Sequence, residues 1–118
     1  MSIDKYYLKG LFEAACKQFD RDTKDKYPGK PIVYIGGCPD HFIDRVYERI
    51  VPRNPELAEQ VTVASVKSIE KLYPSFFELT KSARFGIIYH SLNIRYNMVL
   101  HRRQGIVKSI EITPVTVY

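Results

Sequence analysis

The chain has 118 residues, 45% of them hydrophobic, and a formal net charge of +5. That supports one compact domain over residues 1–118 and leaves little room for a second core. No apolar run approaches the roughly 18 residues that cross a bilayer, and the start Met1-Ser2-Ile3-Asp4-Lys5 lacks the charged-then-apolar layout of a secretion signal. These features exclude a membrane-spanning protein and set the expectation of a cytoplasmic one, in a host cytoplasm if the chain is phage-encoded.

Where the charge sits says more than its size. Residues 1–78 hold twelve basic and twelve acidic side chains, whereas residues 79–118 hold six basic side chains against Glu111 alone. The whole excess therefore lies in the last third. A localised basic face favours a polyanionic partner, RNA or DNA foremost.

From the N-terminus, Ile3, Tyr7, Leu11, Ala15 and Phe19 recur every four residues with Leu8 and Phe12 beside them, which predicts an amphipathic helix over residues 2–22 with Ser2 as N-cap. Asp20 to Pro31, containing Pro28-Gly29, reads as a connecting loop. Ile32-Val33-Tyr34-Ile35 is a β-branched apolar run between Pro31 and Gly36, a strand or an extended segment packed on the core. Of the two cysteines, Cys16 reads as a core residue. Cys38 lies near a helix start, a position that lowers thiol pKa, but its distance from Arg45 does not fit a phosphatase-type loop. The pair fits no metal-ligand spacing.

A second helix starts at Pro39-Asp40 and stops before Pro52. Its apolar stripe is Ile43, Val46 and Ile50, and its opposite stripe is His41, Arg45 and Arg49, spaced by four and so on one face. His41 falls in the first turn, an imidazole able to accept a proton beside a guanidinium. Asn54-Pro55-Glu56 opens a third helix with an Asn cap and Pro at its first position, and Leu57, Val61, Ala64, Ile69 and Leu72 form its core stripe before Pro74.

After Pro74 the period shortens. Residues 75–79, 85–90, 93–102 and 106–113 read as strands with short links, hence an antiparallel meander, and Pro114 to Tyr118 adds a strand or holds an edge. In the longest, Ile94, Tyr96, Met98 and Leu100 alternate with Arg95, Asn97, Val99 and His101, so one face packs inward and the other is polar and basic. The expected fold is α+β, with about three N-terminal helices packed on one face of a small antiparallel meander sheet of three to five strands. Arg95 and His101 would line the open face, joined by Arg84, His90 and Arg102.

Imidazole beside guanidinium suits RNA cleavage without a metal or other cofactor. One group takes the proton of the ribose 2′-OH, a cation stabilises the phosphorane, and a second group protonates the leaving 5′-oxygen. The candidate catalytic residues are His41, Arg45, His101 and His90. Arg49, Lys67, Arg84, Arg95, Arg102 and Arg103 are candidates for RNA contact, and exposed tyrosines such as Tyr34, Tyr47 or Tyr118 for base stacking.

His41-Phe42-Ile43-Asp44-Arg45, followed by Val46-Tyr47-Glu48-Arg49, resembles the His-hydrophobic-hydrophobic-Asp-Arg helix of the RegB-like phage endoribonucleases. More loosely it resembles the helix of the RelE, colicin and EndoU type of nuclease. The resemblance implies that His41 is catalytic and that helices precede a meander sheet. It also implies a second histidine on the next helix, but residues 53–73 hold none, so Lys67, His90 and His101 are the candidates for that role. The expected function is a metal-independent endoribonuclease acting on RNA, with or without a ribosome. The alternative is a non-catalytic phage or mobile-element protein that binds RNA or a host protein through the same basic face.

Overall fold

The first helix starts at Asp4, whose carboxylate accepts the Tyr7 backbone N–H at 2.8 Å, the side-chain cap that satisfies an orphan donor of the first turn. The computed structural model describes residues 4–36, 40–78, 82–104 and 108–118, without the side chains of residues 78, 103, 104 and 108. Ser2, the expected cap, lies outside the described residues, as do Cys38 and Pro39. Helix α1 runs Lys5–Thr23 and buries Leu8, Phe12 and Phe19. Tyr7, expected on the apolar stripe, is exposed and bonds the Glu59 carboxylate, which raises its phenol pKa.

Strand β1 (Ile32–Ile35) settles the ambiguity of that apolar run in favour of a strand. Helix α2 (Asp40–Arg49) buries Ile43 and Val46, with Ile50 just beyond it, as the spacing predicts, and buries Phe42 as well. Its Asp44 and Asp40 meet Lys5 and Lys9 of α1, each pair at 3.1 Å; such exposed pairs contribute about 0–1 kcal/mol each. Helix α3 (Pro55–Leu72) is capped by the Asn54 side chain, which accepts from Glu56 N at 3.0 Å and Leu57 N at 3.3 Å. Thr62, Ser65 and Ser68 lie buried on it without loss, because each hydroxyl donates to a carbonyl one turn back at 2.7–2.8 Å.

The run from Ser75, expected as a strand, is part of a 3₁₀ helix, Tyr73–Glu78, that continues directly from α3. Phe76 is buried there against Phe85. A short apolar run carries the same pattern in a strand and in a packed turn, and here Pro74 stands at the start of the tighter helix.

Strands β2 (Ala83–Tyr89), β3 (Ile94–Gln104) and β4 (Lys108–Val117) form the antiparallel meander. The sheet order is β1-β4-β3-β2, with β1 parallel to β4, so the sheet is mixed rather than purely antiparallel. Residues Pro114 to Val117 extend β4 past the end of β1. Asn97 pairs with Thr116 and Met98 with Pro114, so Val115 is an extra residue, a β-bulge. Proline, lacking an N–H, is tolerated at a bulge. The bulge also resets the alternation, so Ile110, Ile112 and Val117 all stay buried while Glu111, Thr113 and Thr116 share the other face.

The core lies between the helices and one sheet face. Tyr96, fully buried at its centre, packs its ring 6.2 Å from Phe42 and donates its hydroxyl to the Val61 carbonyl of α3 at 2.6 Å. Burial raises the Tyr96 phenol pKa, with Tyr89 adding to the effect, so the proton is held for donation. Tyr96→Phe is expected to lower stability by about 1 kcal/mol, read as a lower urea midpoint at unchanged slope. An unchanged midpoint would show that this bond contributes nothing.

Candidate active site on the open sheet face

Strand alternation puts Arg95, Asn97, Val99 and His101 of β3 on the face the helices leave open. Pairing register then decides what stands beside each. His101 is opposite Glu111 of β4, and Glu111 is opposite Tyr34 of β1, which makes one row across three strands. Directly opposed side chains have Cβ atoms roughly 4.5–5.5 Å apart. Arg84 of β2 is opposite Val99, one diagonal step from His101. Arg84, His101, Glu111 and Thr113 together line a depression of about 570 Å³. An imidazole, a carboxylate and a guanidinium in one depression can accept a proton, donate a proton and hold an anion.

Gly36 shapes the row. A Cβ there would come within 2.6 Å of Glu111 Oε2 and 2.9 Å of the Tyr34 ring, so a larger residue would require the Glu111 carboxylate to shift from its place beside Tyr34. The backbone N–H of Gly36 donates to the Ile112 carbonyl at 3.1 Å, holding the glycine in register.

The depression continues along the face into a groove of about 490 Å³, lined among others by Arg84, Arg95, Asn97, Thr116 and Tyr118. The Arg95 side chain lies over Gly86, with Nε 3.4 Å from where a Cβ would be. At this end Arg49 of α2 reaches round the edge of β4. It donates to Thr116 Oγ1 at 3.0 Å and to the Val117 carbonyl at 2.9 Å, and its guanidinium carbon stands 4.8 Å from the Tyr118 ring centre. Arg49 thus ties the second helix to the open face and is held by these bonds.

The other candidates are dispersed. His41 is exposed in the first turn of α2, and among the described residues no bond or ring contact joins it to the sheet. Arg45, expected beside it on the same stripe, turns to Glu48 at 2.9 Å. His90 begins a 3₁₀ turn, His90–Leu92, at the far end of β2. Continuing the β2–β3 register sets its level at Asn93, eight residues from His101, roughly 27 Å at about 3.4 Å per residue, so the two cannot act on one phosphate. Lys67 is exposed on α3, in the helix layer. Arg102, expected on the open face, pairs with Ile110 and donates to the Phe77 carbonyl at 3.3 Å on the helix side. The side chain of Arg103 lies outside the described residues.

Glu111 was missed as a site residue because a lone acid in a basic stretch carries no motif. Its lone sign among the last forty residues was the available signal, but only the β3–β4 register places it against His101. Among the described residues no group of three His, Cys, Asp or Glu side chains is placed to hold a metal ion, and no helix is long and apolar enough to cross a membrane. Comparison of the chain with protein-family models, with curated proteins and with solved structures finds no match.

Cys16 stays out of the chemistry. Burial, followed by the nearby Asp20 and Glu13 charges, pushes its thiol up from 9.0 to about 12. The folded chain therefore keeps a proton that the unfolded chain releases above about pH 9, so this contribution to stability is complete below pH 9 and is lost as pH rises towards 12. Urea midpoints measured from pH 8 to 11 should fall less steeply for Cys16→Ala than for the wild type. Parallel curves would contradict the shift.

Proposed function

We propose that the chain is a metal-independent endoribonuclease that works on the open face of its sheet. The observation that carries this reading is the juxtaposition of Glu111, His101 and Arg84 in one depression, set by the pairing of β2, β3 and β4. Glu111 takes the proton of a ribose 2′-OH as the 2′-oxygen attacks the adjacent phosphorus. The bond from phosphorus to the 5′-oxygen breaks, and His101, entering as imidazolium, gives its proton to that oxygen. Arg84 offsets the charge that gathers on the phosphorane. The products are a 2′,3′-cyclic phosphate and a 5′-hydroxyl, and the proton gained by Glu111 returns to His101 through solvent.

The rest of the groove supports the same substrate. Arg95 is placed for a neighbouring phosphate, Asn97 for a base edge and the exposed Tyr118 ring for stacking. The resemblance of residues 41–49 to the RegB-like enzymes points to the same reaction class but assigns the imidazole to His41. The cross-strand register favours His101 instead, because pairing sets it opposite the Glu111 carboxylate with the Arg84 guanidinium one diagonal step away. The groove by itself also favours a second reading, in which the face binds RNA or a host protein without cutting.

The test is incubation with a mixed RNA pool in EDTA, with and without ribosomes, followed by mapping of the cut ends. Wild type should leave 2′,3′-cyclic phosphates. Glu111→Gln and His101→Ala should each lose about 10²–10⁴-fold in rate, and Arg84→Ala about 10²-fold. Gly36→Ala, whose methyl displaces the Glu111 carboxylate, should also be slower, while His41→Ala should cut at the wild-type rate. Loss of cutting in His41→Ala alone would overturn the assignment to the sheet. Intact RNA that is nevertheless shifted in a gel would move the function to binding.

A further inference from the structure

The groove beyond the His101 and Glu111 depression shares Arg84, Val99 and Val115 with it, so the two form one trough along the open face. No acidic residue lines the groove, and its floor is a glycine. Gly86 of β2 pairs with Asn97 of β3. A Cβ at Gly86 would stand 3.4 Å from Arg95 Nε, 3.6 Å from Arg95 Nη2 and 3.6 Å from Asn97 Oδ1, so both side chains converge above the space that the glycine leaves. Among the described residues neither the Arg95 guanidinium nor the Asn97 amide makes a hydrogen bond or ion pair. Their polar heads are open to a ligand in the groove.

Tyr118 closes the far end. Its backbone exchanges hydrogen bonds with that of Arg95, at 2.9 Å from the Tyr118 N–H and 3.4 Å from the Arg95 N–H, so the two residues are directly opposed and share the open face. The Tyr118 ring is 55% exposed, and the Arg49 guanidinium stands over it at 4.8 Å from the ring centre. Arg49 is itself fixed by its bonds to Thr116 and Val117. A ring backed in this way keeps its orientation, and its exposed area is available for stacking at little further cost in order. Each of these side chains alone is ordinary on a surface; together they set a stacking ring and two unpaired polar heads in one groove without acids.

Six residues of β3 separate Arg95 from His101, roughly 20 Å at about 3.4 Å per residue. We infer that this end of the trough holds one nucleobase of an unpaired RNA strand at a fixed distance from the cut: the base stacks on Tyr118, Asn97 bonds its edge and Arg95 takes its phosphate. The inference rests on the reading of the open face as an RNA site, but not on cleavage there. A base lies on Tyr118 only after leaving the stack of its neighbours, so a duplex, with its bases paired and stacked, does not engage this end. The substrate class that follows is single-stranded RNA of about four nucleotides or more, the lower end of what a single-strand groove holds. A dinucleotide at the depression does not reach Tyr118.

The test uses 2′-O-methyl RNA, which lacks the attacking hydroxyl, so that fluorescence anisotropy reads binding without cutting. An unstructured octanucleotide of mixed sequence should bind about tenfold more tightly than a dinucleotide, and more tightly than the same sequence in a duplex. Tyr118→Ala should weaken the octanucleotide about tenfold, whereas Tyr118→Phe should bind as wild type. Removing the base from one nucleotide at a time should weaken wild type chiefly at one position, and Tyr118→Ala should be indifferent to that removal. In unmodified RNA of the same sequence the cut should fall about three nucleotides from that position. This binding pattern without any cut would fail the nuclease reading and still support the subsite. The inference is overturned if the octanucleotide does not bind, if the dinucleotide or the duplex binds as tightly, if Tyr118→Ala binds as wild type, or if base removal weakens wild type and Tyr118→Ala alike.

Discussion

Everything on the open face depends on how β3 is held from behind. Ile94, Tyr96, Met98 and Leu100 are buried in succession, and Tyr96 fixes the strand to α3 through the Val61 carbonyl. Because strand side chains alternate, a slip of one residue would send all four outward and Arg95, Asn97 and His101 into the core. Burying guanidinium and imidazole there without partners would be far less favourable than the present arrangement. The register that buries the core is thus the register that exposes Arg95, Asn97 and His101, and the β2 and β4 pairings set Arg84 and Glu111 on the same face.

The Val115 bulge and the parallel β1 strand complete that logic at the two ends of β4. The bulge lets Thr116 and Tyr118 share the open face with Asn97 and Arg95, while Val117 stays inside. At the other end, β1 brings Tyr34 beside Glu111, and Gly36 leaves the carboxylate its space. The second helix is joined to this face through Arg49, whose bonds to Thr116 and Val117 satisfy groups at a strand edge that β1 does not reach.

Much of the frame was legible from local pattern. The Asn54 cap, the apolar stripe of α2 and the alternation of β3 are set by near neighbours and appear where the spacing places them. Pairing between distant segments left no such mark. Residues 32–35 could be read as a strand, but nothing local says that they run parallel to β4, whose paired residues lie 77 positions further on. Likewise the His41, Arg45 and Arg49 stripe is real as geometry, yet Arg45 is taken by Glu48 and Arg49 by the sheet edge, partners that helical spacing alone does not rank. The basic open face could be read from Arg95 and His101; the carboxylate that makes it a candidate for catalysis required the register.

The claim at the centre of this account is that RNA lies on the open sheet face. Its most direct measurement is an NMR titration with a non-cleavable RNA carrying a 2′-deoxyribose at each position where the 2′-hydroxyl would attack. The account predicts amide shifts concentrated at Arg84, Arg95, Asn97, His101, Glu111 and Thr113, weakening as salt is raised. Shifts confined to the exposed faces of α1, α2 and α3, with the sheet residues unmoved, would contradict it.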